Sequence, residues 1–295
     1  MIESDHVWRQ IETLVRSAKT TTTLVAPFVK KAVFEKLLAV IPASVERIDC
    51  VTRWTPAEVA AGVSDPEILD VVSEDPRAHI ALCPSLHAKI YGTDDLCLIG
   101  SANLTGKATG LAPDANIELL VEVPASHPEV RRVLEELKST AIPATTAMAT
   151  LVRQQAELLK HDSTPASPVP ASWYPVTRRP ERLFAFYSGR SRFAEAVEAG
   201  LVQDLALLNV PIGLSETQFS TFMQDRLHEI PELRKLLDGE RLSNIELQNA
   251  LEERDSLAEG QAKRITENIA AWLNHFGLYY TEVGSWELRH GRELK

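Results

Sequence analysis

The chain has 295 residues, 44% of them hydrophobic and 24% charged, the composition of a globular protein with room for two cores. Its formal net charge is −10, so the molecule as a whole is not a polycationic nucleic-acid binder, and any phosphate-binding groove has to be built from particular Arg and Lys residues. Cys50, Cys83 and Cys97 are odd in number, isolated in apolar runs and without CxxC spacing, which speaks against a disulfide framework and a zinc site and reads as core filling.

The opening residues, MIESDHVWRQ, lack a basic-then-apolar leader, and no apolar stretch approaches the ~20 residues of a membrane span, so a cytoplasmic protein without a membrane is expected. VWRQIETLVRSA (Val7 to Ala18) has helical apolar spacing, and the β-branched run TTTLVAPFV (Thr21 to Val29) predicts a buried strand. KAVFEKLLAVI predicts a helix and VERIDCVTRW (Val45 to Trp54) a strand, followed by short helices PAEVAAGV and PEILDVVSE, each opening on proline. HIALCP, LHAKIYG, DLCLIGSA and NIELLVEV are four strand-like runs in quick succession. Helices alternating with strands, then strands meeting directly, predict an α/β fold: a mixed sheet flanked by helices. HPEVRRVLEELKST and TAMATLVRQQAELLKH predict two more helices.

Residues 161–177 (HDSTPASPVPASWYP at the start) are rich in Pro and Ser without periodicity and read as a linker. It would separate a catalytic domain, 1–160, from a mainly helical domain, 178–295. In the second part QAKRITENIAAWLNHFG predicts a helix and LYYTEVGSWELRHG a two-strand hairpin. Together these resemble the last helix and wing of a winged-helix unit, with Lys263 and Arg264 near the end of the helix that meets DNA in such units. The acidic ALEERDSLAEG before it weighs against DNA, and packing or protein contact is the equal reading. There is no internal repeat.

The chemistry concentrates in LHAKIYGTDDLCLIGSANLTG, Leu86 to Gly106. His87 and Lys89 stand two apart in a strand pattern and so share a face. Gly100 allows close backbone approach, and the Ser101 hydroxyl and Asn103 amide can donate to an anion. One positive charge, two neutral donors and one imidazole suit a phosphodiester: Lys and the donors hold the nonbridging oxygens while a neutral imidazole nitrogen attacks phosphorus. A single imidazole leaves the departing alkoxide without an acid. The His-x-Lys pattern does not recur, so the second histidine is expected from a second copy of the chain across a two-fold axis. No metal or cofactor is called for.

This stretch resembles the HKD motif of the phospholipase D superfamily, HxKx4Dx6GSxN. His87, Lys89, Asp94, Gly100, Ser101 and Asn103 match it by type, with the step from Asp94 to Gly100 one residue short. Glu118, in NIELLVEV, resembles the acidic residue that orients the nucleophilic histidine through its other ring nitrogen. The resemblance runs from about Val7 to Val123. It implies a mixed sheet flanked by helices, a phosphohistidine intermediate and independence of metal. Members with one motif are similar to nucleases that complete the site by dimerising.

Several residues keep two readings. Asp94, beside Asp95, is a turn residue or part of the catalytic set. Arg53 touches substrate or pairs with Asp65, and Lys107 meets a substrate phosphate or stays solvated. Arg178, Arg179, Arg182, Arg190 and Arg192 track phosphates or make salt bridges to Glu181 and Glu195. His79 reads as a packed core residue. GSANLTGKATG is not a P-loop, because five residues separate Gly100 from Gly106 and Ala108 follows Lys107 where Ser or Thr is needed. The leading function is a metal-independent nuclease acting as a homodimer, on DNA ahead of RNA, with the C-terminal half selecting substrate or a protein partner. The alternatives are a lipid phosphodiesterase or phosphatidyl transferase, and an inactive phosphate-binding scaffold.

Overall fold

Apolar β-branched runs become the strands of a mixed sheet: β1 (Thr21–Val25), β2 (Arg47–Thr52), β3 (Ala78–Leu82), β4 (Ile90–Gly92), β5 (Leu96–Gly100), β6 (Leu120–Pro124) and β7 (Ile142–Pro143). The computed structural model describes residues 5–161, 173–255, 259–277, 279–281 and 287–290. The chain divides into two compact units, Met1–Lys160 with Pro211–Gly213, and His161–Val210 with Leu214–Lys295.

In the first unit the strand order is β6-β5-β4-β1-β2-β3-β7. The pairs β1–β2 and β2–β3 are parallel, whereas β1–β4, β4–β5, β5–β6 and β3–β7 are antiparallel. Helices accompany the sheet: α1 (His6–Arg16), α2 (Lys31–Leu38), α3 (Pro56–Ala60), α4 (Ile68–Val72), α5 (Gly106–Thr109), α6 (Pro128–Thr140) and α7 (Thr146–His161). The apolar stripe of α1 buries Val7, Trp8, Ile11, Leu14 and Val15, the spacing read from the sequence. Val130 and Leu137 of α6 join Val25, Cys83, Leu86, Ile90 and Cys97 in one core cluster. All three cysteines are buried and free. His79 is exposed on β3, not packed in the core, because the strand alternates and its neighbours Ala78 and Ile80 take the inward positions.

LHAKIYG is a strand only from Ile90 onward, although the Gly100 N–H still reaches the Lys89 carbonyl at 3.4 Å. The segment before it is drawn off the ladder by the tight turn at Cys83, whose carbonyl accepts the Leu86 N–H. The turn between β4 and β5 is tied down by Asp94. Its carboxylate accepts from the backbone N–H of Lys19, Thr20 and Thr21 and from the hydroxyls of Thr20 and Thr21.

The second unit holds α8 (Leu183–Tyr187), α9 (Glu195–Leu207), α10 (Glu216–His228), α11 (Arg234–Leu237), α12 (Asn244–Asp255) and α13 (Glu259–His275). A small antiparallel sheet accompanies them, made of β8 (Leu242–Ser243), β9 (Tyr279–Thr281) and β10 (Glu287–His290) in the order β8-β10-β9. Of the expected linker, residues 162–172 lie outside the described residues. Trp173–Thr177 is packed into the second unit: the Asn268 amide donates to the carbonyls of Pro175 and Val176, and the Trp272 indole to that of Thr177. Asp204 of α9 accepts the N–H groups of Val176 and Thr177, both at 2.8 Å. Burial pushes the Asp204 acid up to about 6 in spite of these bonds. Trp173 and Pro175 are apolar enough to be held, which the Pro-rich context concealed. No helix among the described residues is long and apolar enough to cross a membrane.

Candidate active site

Strand directions decide which residues meet. β1, β2 and β3 run parallel, β4 runs against β1, β5 against β4 and β6 against β5. The carboxyl ends of β1, β2 and β5 therefore lie at the same sheet end as the amino ends of β4 and β6. Phe28 and Arg53 follow β1 and β2, His87 and Lys89 precede β4, Ser101 and Asn103 follow β5, and Glu118 precedes β6. All seven gather at that end, the usual place for a ligand site in an open sheet of this kind. Asp94 sits in the β4–β5 turn, at the opposite end beside Lys19–Thr21, and meets none of them. Of its two readings the structure gives it the turn.

Leu86 and Ile90 are buried in the core and pin the segment between them, leaving His87 exposed and Lys89 half-buried. The Lys89 ammonium donates to the His87 carbonyl at 2.8 Å. Burial lowers the Lys89 pKa, the nearby Arg53 charge lowers it further, and Glu118 opposes both. Ser101 is locked onto the start of β6. Its N–H donates to the Leu119 carbonyl at 2.9 Å, its hydroxyl oxygen accepts the Leu119 N–H at 3.1 Å, and the hydroxyl donates to Glu118 Oε2. This close approach needs Gly100: a Cβ there would fall 1.8 Å from the Leu119 carbonyl oxygen. Asn103 Oδ1 accepts the Phe28 N–H at 3.3 Å, and Leu104 is bonded to both Phe28 and Lys30, so the loops after β1 and β5 are stitched together.

Glu118 departs from its expected partner. Its second oxygen, Oε1, accepts from Asn116 Nδ2 at 3.1 Å, so both oxygens are used within its own loop and on Ser101, and no bond to the His87 ring is formed. Ser101 takes this carboxylate because the strand ladder already holds it against Leu119. Arg53 is ion-paired, but with Glu58 and not with Asp65, which is held by Lys30 and by the Lys31 N–H. Arg53 also donates to the Leu86 carbonyl at 2.9 Å, and its guanidinium carbon lies 5.3 Å from the Phe28 ring centroid. Lys107 is exposed on α5.

Arg178 and Arg179 belong to the second unit. The acids that face this arginine cluster differ from those expected: Arg178 pairs with Glu267, Arg190 with Glu216 and Arg192 with Glu198. Glu58 and Phe28 are the site-end residues that sequence reasoning passed over. Thr55-x-x-Glu58 has the spacing of a helix capping box. Thr55 does accept the Glu58 N–H, but the Glu58 carboxylate turns to Arg53 instead of closing the box.

No family model and no curated protein matches the chain. Among solved structures, NucT from Helicobacter pylori aligns over 48% of this chain and 92% of its own, at 8% identity and a TM-score of 0.38. The phospholipase D family member Nuc from Salmonella typhimurium aligns over 47% of this chain and 91% of its own, at 14% identity and a TM-score of 0.34. Phosphatidylserine synthase from Haemophilus influenzae Rd KW20 aligns over 82% of this chain and 72% of its own, at 11% identity and a TM-score of 0.36. Overlays this loose leave the chemistry to be read from the residues at the sheet end. On the motif from His87 to Asn103, and on the mixed sheet that carries it, the chain resembles the phospholipase D superfamily.

Proposed function

We propose that this protein is a phosphodiesterase of the phospholipase D type that hydrolyses nucleic acid, DNA ahead of RNA, without a metal ion. The observation that carries the reading is the convergence of an exposed His87, a half-buried Lys89, the Ser101–Glu118 pair and Asn103 at one end of the sheet. Neutral His87 attacks phosphorus, the P–O bond to the leaving group breaks, and a phosphohistidine forms. The departing alkoxide takes a proton from the protonated His87 imidazolium of a second copy, which leaves that ring neutral. That imidazole then removes a proton from the water that attacks the phosphohistidine, which restores both rings. Lys89 and the Asn103 side-chain amide offset charge on the nonbridging oxygens, while Ser101, its hydroxyl given to Glu118, holds the start of β6 in place.

The edge of the sheet supports a shared site. Ile117, Leu119 and Val121 alternate along β6 and its approach and are 102%, 65% and 47% exposed, an apolar row directly beside Glu118. A second copy covering it would lie next to the site that lacks an acid. In the second unit the run β8, α12, α13, β9, β10 with β10 central supports a winged-helix reading. Its paired arginines favour a protein contact over a phosphate track.

The test is cleavage of labelled DNA and RNA oligonucleotides in excess EDTA, with phosphatidylcholine vesicles in parallel. Wild type cuts DNA, and His87→Ala loses activity by at least ~10³-fold. Release of head group alone identifies a lipid enzyme, and neither activity a binding scaffold. Equal mixing of wild-type and His87→Ala chains leaves about a quarter of the activity if sites are shared, and about half if each chain works alone.

A further inference from the structure

His87 is bracketed by two held carbonyls. On one side the Leu86 carbonyl accepts from Arg53 Nη1 at 2.9 Å; on the other the His87 carbonyl accepts from Lys89 Nζ at 2.8 Å. Each peptide unit is planar, so fixing the plane before and the plane after a residue fixes its φ and ψ and the direction of its Cα–Cβ bond. The strand ladder does not do this for His87, because β4 begins at Ile90.

Arg53 is itself held. Glu58 Oε1 accepts from both Nε, at 3.0 Å, and Nη2 of the guanidinium. Thr55 caps the first turn of α3 and thereby sets the Glu58 backbone. The Phe28 ring lies beside the guanidinium, and the Arg53 and Glu58 side chains are only 20% and 18% exposed. Each guanidinium nitrogen thus already donates one N–H, three of the five that arginine carries, to Glu58 or to the Leu86 carbonyl.

We propose that Glu58 and Arg53 are a positioning pair: Glu58 orients the guanidinium, and Arg53 fixes the Leu86–His87 peptide and so aims the His87 imidazole. This rests on the phosphodiesterase reading and replaces substrate contact as the role of Arg53. After burial, the Arg53 charge also contributes to the lowered pKa of Lys89, two residues from His87.

Arg53→Lys, Glu58→Ala and Glu58→Gln separate the possibilities. Lysine keeps the charge but cannot bridge Glu58 and the Leu86 carbonyl at once. In EDTA, on a labelled DNA oligonucleotide, Arg53→Lys and Glu58→Ala lower kcat by ~10-fold or more with KM within about twofold of wild type. Glu58→Gln, which can still accept from the guanidinium, recovers most of kcat. In ¹⁵N–¹H spectra the His87 and Ala88 amide signals move in Arg53→Lys and Glu58→Ala, and return toward wild type in Glu58→Gln. A raised KM at unchanged kcat in Arg53→Lys makes Arg53 a substrate contact and overturns the proposal, as do unchanged kinetics or unmoved His87 and Ala88 signals. If wild type cleaves nothing, the phosphodiesterase reading fails, and the amide signals still decide whether the pair positions His87. If Glu58→Ala does not fold, the two conservative variants decide.

Discussion

A single methyl group at Gly100 should take the site apart. Built there, it falls 1.8 Å from the Leu119 carbonyl oxygen, 2.9 Å from the Leu119 carbonyl carbon and 3.1 Å from the Leu120 Cα. All three atoms are backbone, so no side chain can swing aside, and β5 and β6 must part by more than about 1 Å to restore normal contact. Parting them removes the Ser101 N–H bond to Leu119 and the Leu119 N–H bond to Ser101 Oγ. Two hydrogen bonds at about 1 kcal/mol each, with about 1–3 kcal/mol of overpacking, give Gly100→Ala a cost of about 3–5 kcal/mol. For a unit of this size that lowers Tm by roughly 10 °C in a calorimetric scan. The Ser101–Glu118 contact opens with the strands, so turnover falls as well. Gly260, on α13, has nothing within 4 Å of its built Cβ and an ordinary φ. Gly260→Ala therefore holds Tm or raises it, by up to about 1 kcal/mol of stability. If Gly100→Ala melts within about 2 °C of wild type and keeps its turnover, the close approach of β5 and β6 is not what builds the site.

Three further outcomes are expected. Asp94→Asn replaces one acceptor oxygen by a donor that faces the N–H and hydroxyl groups of Lys19–Thr21, and costs about 2–4 kcal/mol; an unchanged melting curve would refute the turn-anchoring role. Asp204 keeps its proton to about pH 6 in the folded chain, against about 4 when unfolded, so its stabilising contribution is complete below pH ~4 and is lost as pH rises through ~6. The stability of wild type relative to Asp204→Asn, from melting at each pH, should therefore be highest near pH 4 and fall toward pH 7.5, by no more than about 3 kcal/mol, and a difference that grows with pH would contradict the shift. On the nucleic-acid reading with a site shared by two copies, Lys89 and Lys107 of each copy offer about four phosphate contacts, because Arg178, Arg190 and Arg192 already face carboxylates; the slope of log K against log salt should be near −4 or shallower, and one steeper than about −6 would put the arginine cluster on the backbone.

The sheet was legible because its strands are apolar and β-branched and its helices carry regular stripes, as in Thr21–Val25 and α1. Elements of two residues, β7 and β8, have no periodicity to read and are fixed by pairing with distant strands. His87, Lys89, Ser101 and Asn103 could be named from type and spacing, since the motif is local. Their partners could not. Glu58 and Arg53 are five residues apart but meet across a strand end and a helix start, and Asp94 reaches Lys19 over a separation of 75 residues. The arginine cluster misled for the same reason: Glu267 is remote from Arg178 in sequence, so the nearer Glu181 looked like its acid.

The arrangement of acids bears on why one chain should not suffice. On the proposed chemistry the leaving oxygen needs a proton, and four groups near the motif could be asked for it. Asp94 is at the wrong end of the sheet; hydrogen bonds outweigh partial burial and hold its carboxyl below the ordinary range, so it carries no proton near neutral pH. Glu118 has both oxygens occupied by Ser101 and Asn116, and to serve the leaving oxygen it would have to leave Ser101, undoing the lock on β6. Lys89 is bound to the His87 carbonyl, and giving up its proton would remove the charge that the phosphate oxygens require. His87 itself must enter neutral to attack. On the proposed chemistry each local donor is therefore excluded by its own bond or by its own role, and the exposed apolar row of Ile117, Leu119 and Val121, at and just before the start of β6, is where a second copy supplying another imidazole would dock.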